Sequence, residues 1–448
     1  MTQSPEDLCH ALIDAAKAAG ADGADAMAAE GSSVSIEVRE GALEHAERAE
    51  GMDLGLRVFI GQQQSIVSSS DARPETLVAM AERAVAMARE APEDQYTGLA
   101  DPGQLTSSWD LAALELEDSS AEPTPDALKA DALAAEAACQ AIDGISQVQS
   151  AGAAYGRHLV HLAASNGFSG GYGRTSRSLS CVGIAGTGSG MERDHDGDSR
   201  TIQADLRSAD DIGRIAGERA VERLNARKPV TGTYPVLFDE RISSSLISHL
   251  LSASNGAAIA RGSSWLQDAV GTQVLPDHLS VIEDPHRPRI SGSRPFDGEG
   301  LATRRRTIVE DGVLTGWTLD LASARKLGLE STGNAARGIG SVPGPANWNI
   351  ELTPGEHSRA DLIRDMGTGL LVTSMIGSTI NPNNGDYSRG ASGFWVENGE
   401  IAYPVNECTI AGNLRDMLLR IQPANDARRY LSRVVPSILI EGMTLAGN

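Results

Sequence analysis

"GFWVENGEIAYPV", residues 393–405, decides how the second half of the chain folds. Phe394, Trp395 and Val396 form one β-prone apolar run, Ile401 to Val405 form another, and Asn398-Gly399 stands between them. Asn-Gly accepts the left-handed backbone that a tight turn requires, so the stretch predicts an antiparallel hairpin. Working outward, the same punctuation returns in "TRRRTIVEDGVLTGWTLD" (303–320), where Asp311-Gly312 separates two apolar runs. "WNIELTPG" (348–355) and "GLLVTSMIG" (369–377) are further short strands bounded by turns. From residue 262 the chain is strand and turn almost throughout, after one prominent helix, "SSSLISHLLSASNG" (243–256).

The first half mixes two periods. Ser4, Pro5 and Asp7 form a helix start, and Leu8, Leu12, Ile13 and Ala16 supply its apolar stripe. "SSVSIEVREG" (32–41) then alternates, and "GLRVFIG" (55–61) and "QQSIVSSS" (63–70) follow at meander distances. "RPETLVAMAERAVAMAREA" (73–91) is a second amphipathic helix. After turn-rich text the order returns: Thr124-Pro125 opens an Ala-rich helix, alternating strands follow, and Ser208 with Asp211 caps a helix over 209–226. "RKPVTGTYPVLFD" (227–239), with two prolines and a glycine, reads as a domain boundary. The expectation is an α+β protein. Residues 1–228 form an N-terminal domain of antiparallel sheet with flanking helices, internally duplicated with a break near 100–123. Residues 229–448 form a mainly antiparallel β domain with one prominent helix.

Charge excludes one class of partner. With 38 Lys and Arg against 60 Asp and Glu, the net charge is −22. Such a chain repels phosphate backbones, so nucleic-acid binding is not expected, and Arg304–Arg306 reads as a charged strand face. No apolar run approaches the ~20 residues of a membrane helix. Cys9, Cys139, Cys181 and Cys408 are scattered without a CxxC pair, which fits free thiols in a reducing compartment rather than a disulfide framework. With no basic-then-apolar leader pattern, the expected location is the cytoplasm.

His249 is the residue on which catalysis turns. A zinc-peptidase helix carries two histidines one turn apart and a glutamate beside the first, acting as base on the zinc-bound water. Here Leu250 stands at the base position, and neither Ala253 nor Ser254 is a ligand of that kind. A helix histidine satisfied by packing and a hydrogen bond is the better reading. "MERDHDGDSR" (191–200) opens like a calcium loop, but Ser199 replaces the glycine and Asp205 the closing glutamate, so a polar hairpin tip is expected. "GIAGTGSG" (183–190) lacks dinucleotide-binding spacing and reads as a turn. Cys408 has no evident local base. Two polar, glycine-rich loops remain. "SGSRPFDGEGLATRRRT" (291–307) holds Arg294 and Asp297, and "NPNNGDYSRGASGFWVENG" (381–399) holds Asp386, Tyr387 and Arg389. Such loops on a β scaffold are where ligand contacts concentrate, and an extended peptide can pair with a strand edge beside them.

These two loops, extended to residues 293–335 and 381–418, resemble the TldD/PmbA family (peptidase U62-like, formerly "modulator of DNA gyrase"), and most closely its TldE/PmbA branch. The resemblance runs over most of the chain and is strongest from residue 234 onward. It implies the following. TldD-type chains carry HExxxH and zinc. TldE-type chains lack it and pair with them as a heterodimeric cytosolic metallopeptidase that processes peptides and small unfolded proteins. In this sequence His249 falls where the first histidine would lie, while Leu250 replaces the Glu and Ser254 the second His. The chain is therefore expected to be a non-catalytic subunit, inactive alone, with no catalytic residue and no metal of its own. Zinc belongs to the TldD-type partner, and Arg294, Asp297, Asp386, Tyr387 and Arg389 are the peptide or interface contacts. The assembly of the isolated chain stays open, a homodimer being one option. The alternative is a self-associating peptide-binding or chaperone-like protein without a peptidase role. A third is an independent hydrolase using Cys408 or an unrecognised ligand set.

Overall fold

The structure is a computed structural model that describes residues 3–447. Its first layer runs α1 (Pro5–Ala18), β1 (Gly23–Arg39), β2 (Ala42–Ile60), β3 (Gln63–Ser69) and α2 (Pro74–Glu90). A linker with the single-turn α3 (Leu111–Leu114) leads to α4 (Pro125–Gln140), β4 (Ile145–Ala164), β5 (Ser169–Ala185), β6 (Glu192–Arg200) and α5 (Ala209–Glu222). Each half has the order helix, three strands, helix. The halves join edge to edge through β1 and β4, giving one antiparallel sheet of order β3-β2-β1-β4-β5-β6.

The expected caps form. Ser4 and Asp7 close a capping box on α1, Thr124 accepts from the Ala127 N–H at the start of α4, and Ser208 accepts from the Asp211 N–H at the start of α5. β1 is 17 residues long, about 56 Å at ~3.3 Å per residue. One face of this single strand serves two cores. Ala24, Ala26 and Ala28 pack under α1 and α2, whereas Val34, Ile36 and Val38 pack under α4.

The other face of the sheet carries the second domain. Asp25 and Arg57, both buried, join Nε to Oδ2 at 2.9 Å, and Arg337 from the second domain reaches the other carboxylate oxygen. Burial opposes the charge on Asp25, yet the two guanidinium groups hold its carboxyl below the usual carboxylate range. Beside this triad Gly55 lets the chains meet closely, since a Cβ there would lie 2.0 Å from the Ile339 carbonyl oxygen.

The second domain begins with β7 (Gly232–Phe238), α6 (Glu240–Ala253) and α7 (Gly256–Ala260). Next come β8 (Val281–Glu283), β9 (Arg306–Glu310), β10 (Val313–Leu314), α8 (Leu321–Leu327), β11 (Ala335–Ala336), β12 (Gly344–Pro345) and β13 (Ile350–Leu352). It closes with α9 (Arg359–Met366), β14 (Gly369–Ile380), β15 (Asp386–Glu397), β16 (Glu400–Asn413), α10 (Leu414–Leu418), β17 (Ile421–Pro423), β18 (Arg433–Val434) and β19 (Ile438–Ala446). Both expected hairpins are present, β9–β10 and β15–β16, the second turning on Asn398 and Gly399 at φ 53° and 78°.

The larger sheet has the order β16-β15-β14-β7-β19-β17, and β16 also pairs with β19. Five strands therefore form a closed ring: β7, β14, β15, β16 and β19. The β7–β14 pairing is parallel and the other pairings are antiparallel. Val236, Phe238, Leu370 and Val372 share a core with Leu246, Ile247, Leu250 and Leu251 of α6. On the opposite face Leu237, Leu371, Val396 and Leu439 pack with Leu362 and Met366 of α9. A five-stranded sheet, β10-β9-β8-β13-β18, adds Val281, Ile308 and Ile350 to the α6 core. Helix α6 is thus held on several sides, and this fixes the direction of its polar residues.

Candidate functional site at the domain junction

Helix α6 starts at the junction. Asp239 caps it by accepting from the Arg241 N–H at 3.1 Å, and its carboxylate also pairs with Arg241 and Arg359. Burial pushes the Asp239 carboxyl up, but the two arginines outweigh it and the pKa lies below the ordinary value. Glu240 beside it pairs with Arg428, and there burial prevails and its pKa is raised.

Three turns into α6 stands His249. Its ring meets Tyr387 of β15 edge to face, with centroids 5.9 Å apart. Its Nε2 is buried and has no hydrogen-bond partner among the described residues, so the hydrogen bond expected for a packing histidine is absent at this atom. Burial, assisted by the positive charge of Arg389, lowers the His249 pKa and keeps the ring neutral. Tyr387 is buried, its hydroxyl donates to Met375 Sδ at 3.4 Å, and burial pushes its pKa up to about 12. Arg389 is half-buried and its Nε likewise lacks a partner among the described residues. His249, Tyr387 and Arg389 therefore form one under-satisfied polar centre between α6 and β15.

The positions beside His249 do not complete a zinc site. Leu250 is fully buried in the apolar core, and Ser254 is fully buried with its hydroxyl donating to the Leu251 carbonyl at 3.1 Å. One imidazole, one aliphatic side chain and one committed hydroxyl are not the donor set of a catalytic zinc. The residues of α6 do not fit that metal.

The other candidates lie apart from this centre. Asp386 is exposed at the start of β15, where its carboxylate accepts from the Asn384 and Asn413 side-chain amides. Arg294 donates to the Ser291 and Ser293 carbonyls and lies over Trp348 at 5.4 Å. Asp297 is buried and accepts from the backbone N–H groups of Glu299, Leu301 and Ala335, so it shapes its loop. Cys408 donates to the Ala391 carbonyl at 3.2 Å, and burial pushes its thiol up to about 11. A nucleophile needs the opposite shift.

Residues 191–200 correct the sequence reading. They are not a polar hairpin tip. Glu192–Arg200 is strand β6, and its alternate acids Asp194, Asp196 and Asp198 point inward. Their partners are arginines from several elements. Asp194 meets Arg223 and Arg241, Asp196 meets Arg219 and Arg207 at 2.8 Å each, and Asp198 meets Arg200 at 2.9 Å. Alternation of acids has the period of a strand with one charged face. Arg219 on α5 and Arg223 at its C-cap, four apart, are the matching signal.

This ladder borders two clefts between the domains. One, of about 1000 Å³, is lined by Arg223, Arg241, Met375, Ile376, Gly390 and Cys408 among others, and adjoins the His249 centre through Met375. The other, of about 780 Å³, is rich in arginine, including Arg174, Arg219, Arg241 and Arg433. Most of these cations have carboxylate partners. Among the described residues Arg433 Nη1 is buried without a hydrogen-bond partner, and Arg174 donates to the Ser291 and Ser293 carbonyls.

A helix-covered antiparallel sheet docked on a closed strand ring, with polar clefts between, is an architecture with known relatives. The chain belongs to the PmbA/TldD family: residues 24–88 match PmbA/TldA metallopeptidase domain 1, residues 118–224 the central domain and residues 231–447 the C-terminal domain. Metalloprotease PmbA of Escherichia coli O157:H7 is 37% identical over 431 residues, 95% of this chain and 92% of that protein. A Bacteroides thetaiotaomicron crystal structure described as a modulator of DNA gyrase is 28% identical, with TM-score 0.91 and full coverage of both chains. TldE from Thermococcus kodakarensis shares the fold at TM-score 0.85 and 22% identity, over 98% of this chain and all of that one.

Proposed function

We propose that this chain is a TldE/PmbA-type, non-catalytic subunit of a cytosolic zinc metallopeptidase that processes peptides and small unfolded proteins. The supporting observation is α6, where Leu250 and Ser254 are fully buried beside a lone His249. The zinc and its base would be supplied by a TldD-type partner. This chain would contribute the clefts at the domain junction and hold an extended peptide there. Arginine side chains suit peptide carbonyls and carboxylates because they offer several donors in a fixed fork. Arg389, whose Nε has no hydrogen-bond partner among the described residues and whose neighbour Gly390 lines the larger cleft, is the proposed peptide contact.

The test is co-purification with a TldD-type chain, followed by peptide turnover by the pair and by each chain alone. Turnover only by the pair supports the proposal, whereas turnover by this chain alone overturns it. In the pair, Arg389→Ala is expected to lower turnover roughly tenfold, the loss of one charge-assisted hydrogen bond of about 1.4 kcal/mol, while zinc content stays the same. Unchanged turnover would remove Arg389 from the peptide site.

A further inference from the structure

Far from α6, on the helix-covered face of the first sheet, three ligand-bearing side chains converge. Glu6 and His10 are four residues apart on α1, so they share one face of the helix. His161 on β4 lies beneath them, and the carboxylate oxygen and imidazole nitrogens of the three all lie within 4.8 Å of one another. Ser169 of β5 sits among them, its Oγ 2.9 Å from His161 Nε2 and 3.3 Å from His10 Nε2. The strand beneath makes room for the ring. His161 is paired with Gly171, and a Cβ at that position would lie 2.6 Å from His161 Nδ1. Cys9, next to His10, donates to the His161 carbonyl at 3.5 Å, which fixes the helix over this point of the strand.

We propose that Glu6, His10 and His161 bind one divalent transition-metal ion, which fastens α1 to β4. Two imidazoles and one carboxylate are a donor set for Zn²⁺, Ni²⁺ or Cu²⁺ rather than for Mg²⁺ or Ca²⁺, which take oxygen ligands. Metal–nitrogen bonds of about 2.0–2.1 Å in a tetrahedron put ligand atoms roughly 3.3–3.4 Å apart. The present spread of up to 4.8 Å therefore has to close by as much as about 1.5 Å. Glu6 and His10 are exposed and free to swing, while half-buried His161 supplies the fixed point. Burial also lowers the His161 pKa, favouring the neutral ring that a metal requires. Ser169 Oγ or water would fill the remaining position. The site is independent of the peptidase reading, since it shares no residue with α6.

The experiment uses the tag-free full chain, freed of metal by chelation and titrated with ZnCl₂ by calorimetry, with thermal unfolding followed in parallel. Wild-type protein is expected to bind one zinc per chain at this site and to unfold at higher temperature when loaded. His10→Ala and Glu6→Gln, both at exposed helical positions, are expected to weaken that binding more than tenfold and abolish the thermal shift. His249→Ala is expected to change neither. Zinc binding unaltered by His10→Ala, or no stoichiometric binding by the wild type, overturns the proposal. Binding lost in His249→Ala but kept in His10→Ala would place the metal on α6 and overturn the non-catalytic reading as well.

Discussion

Glu299 shows how a single carboxyl can set the pH response of a fold. It is buried beside Asp297, accepts from the Leu321 N–H at 2.9 Å, and burial together with its acidic neighbour pushes its pKa up to about 8; burial holds Asp297 at about 6. A folded-state pKa above the unfolded one means the folded chain binds more protons in the interval between them. Stability contributed by these groups is complete below about pH 4 and falls as pH rises through about 6 and then about 8. Urea midpoints are therefore expected to drop between pH 5 and 8.5, and Glu299→Gln, which keeps the acceptor and removes the charge, is expected to flatten that drop. A slope identical to wild type would refute the assignment. At this scale the sequence was partly legible. The missing base and second histidine beside His249 are visible as letters, because a leucine cannot ligate zinc wherever it sits. That Asp297 also holds the Ala335 N–H was not visible, because this partner, 38 residues away, is brought to it by the fold.

Among the elements, local chemistry announced itself and distant compensation did not. Ser4 with Asp7, Thr124, Ser208, Asp311-Gly312 and Asn398-Gly399 act within four residues of themselves, and each caps or turns where its spacing indicates. Strand β6 misled because its alternating acids look solvated until α5 and α6 bring arginines to them. Asp196 joins Arg207 and Arg219, whose side chains are three-quarters buried or more. Asp196→Ala would take from Arg219 its ion pair and leave Arg207 with Asp198 at 3.8 Å. It is expected to cost about 2–3 kcal/mol, read as a lowered urea midpoint with an unchanged slope. A change below about 0.5 kcal/mol would mean the ladder is solvated after all.

The whole molecule depends on contacts between residues hundreds apart in sequence. Arg337 reaches Asp25 across the domain junction with 1% of its side chain exposed. Arg337→Ala leaves a buried carboxylate facing Arg57 alone and is expected to destabilise the protein by about 3–5 kcal/mol. Split unfolding, with the second domain melting apart from the first, would show that the triad couples them; loss of cooperativity is readable by calorimetry. The ring of β7, β14, β15, β16 and β19 was the least legible feature, because each strand is evident locally while its neighbours are chosen only in three dimensions. It also has a temporal consequence. β7 needs β14 on one side and β19 on the other, and about 200 residues separate Gly232 from Ile438. At ~5–20 residues per second, a ribosome takes about 10–40 s to make that stretch. Throughout that interval the first sheet already has all its strands, while the core around Val236, Phe238 and the apolar side of α6 stays incomplete until Ile438 and Ile440 of β19 arrive. Birth order makes the second domain the part of this chain that a chaperone has most time to meet.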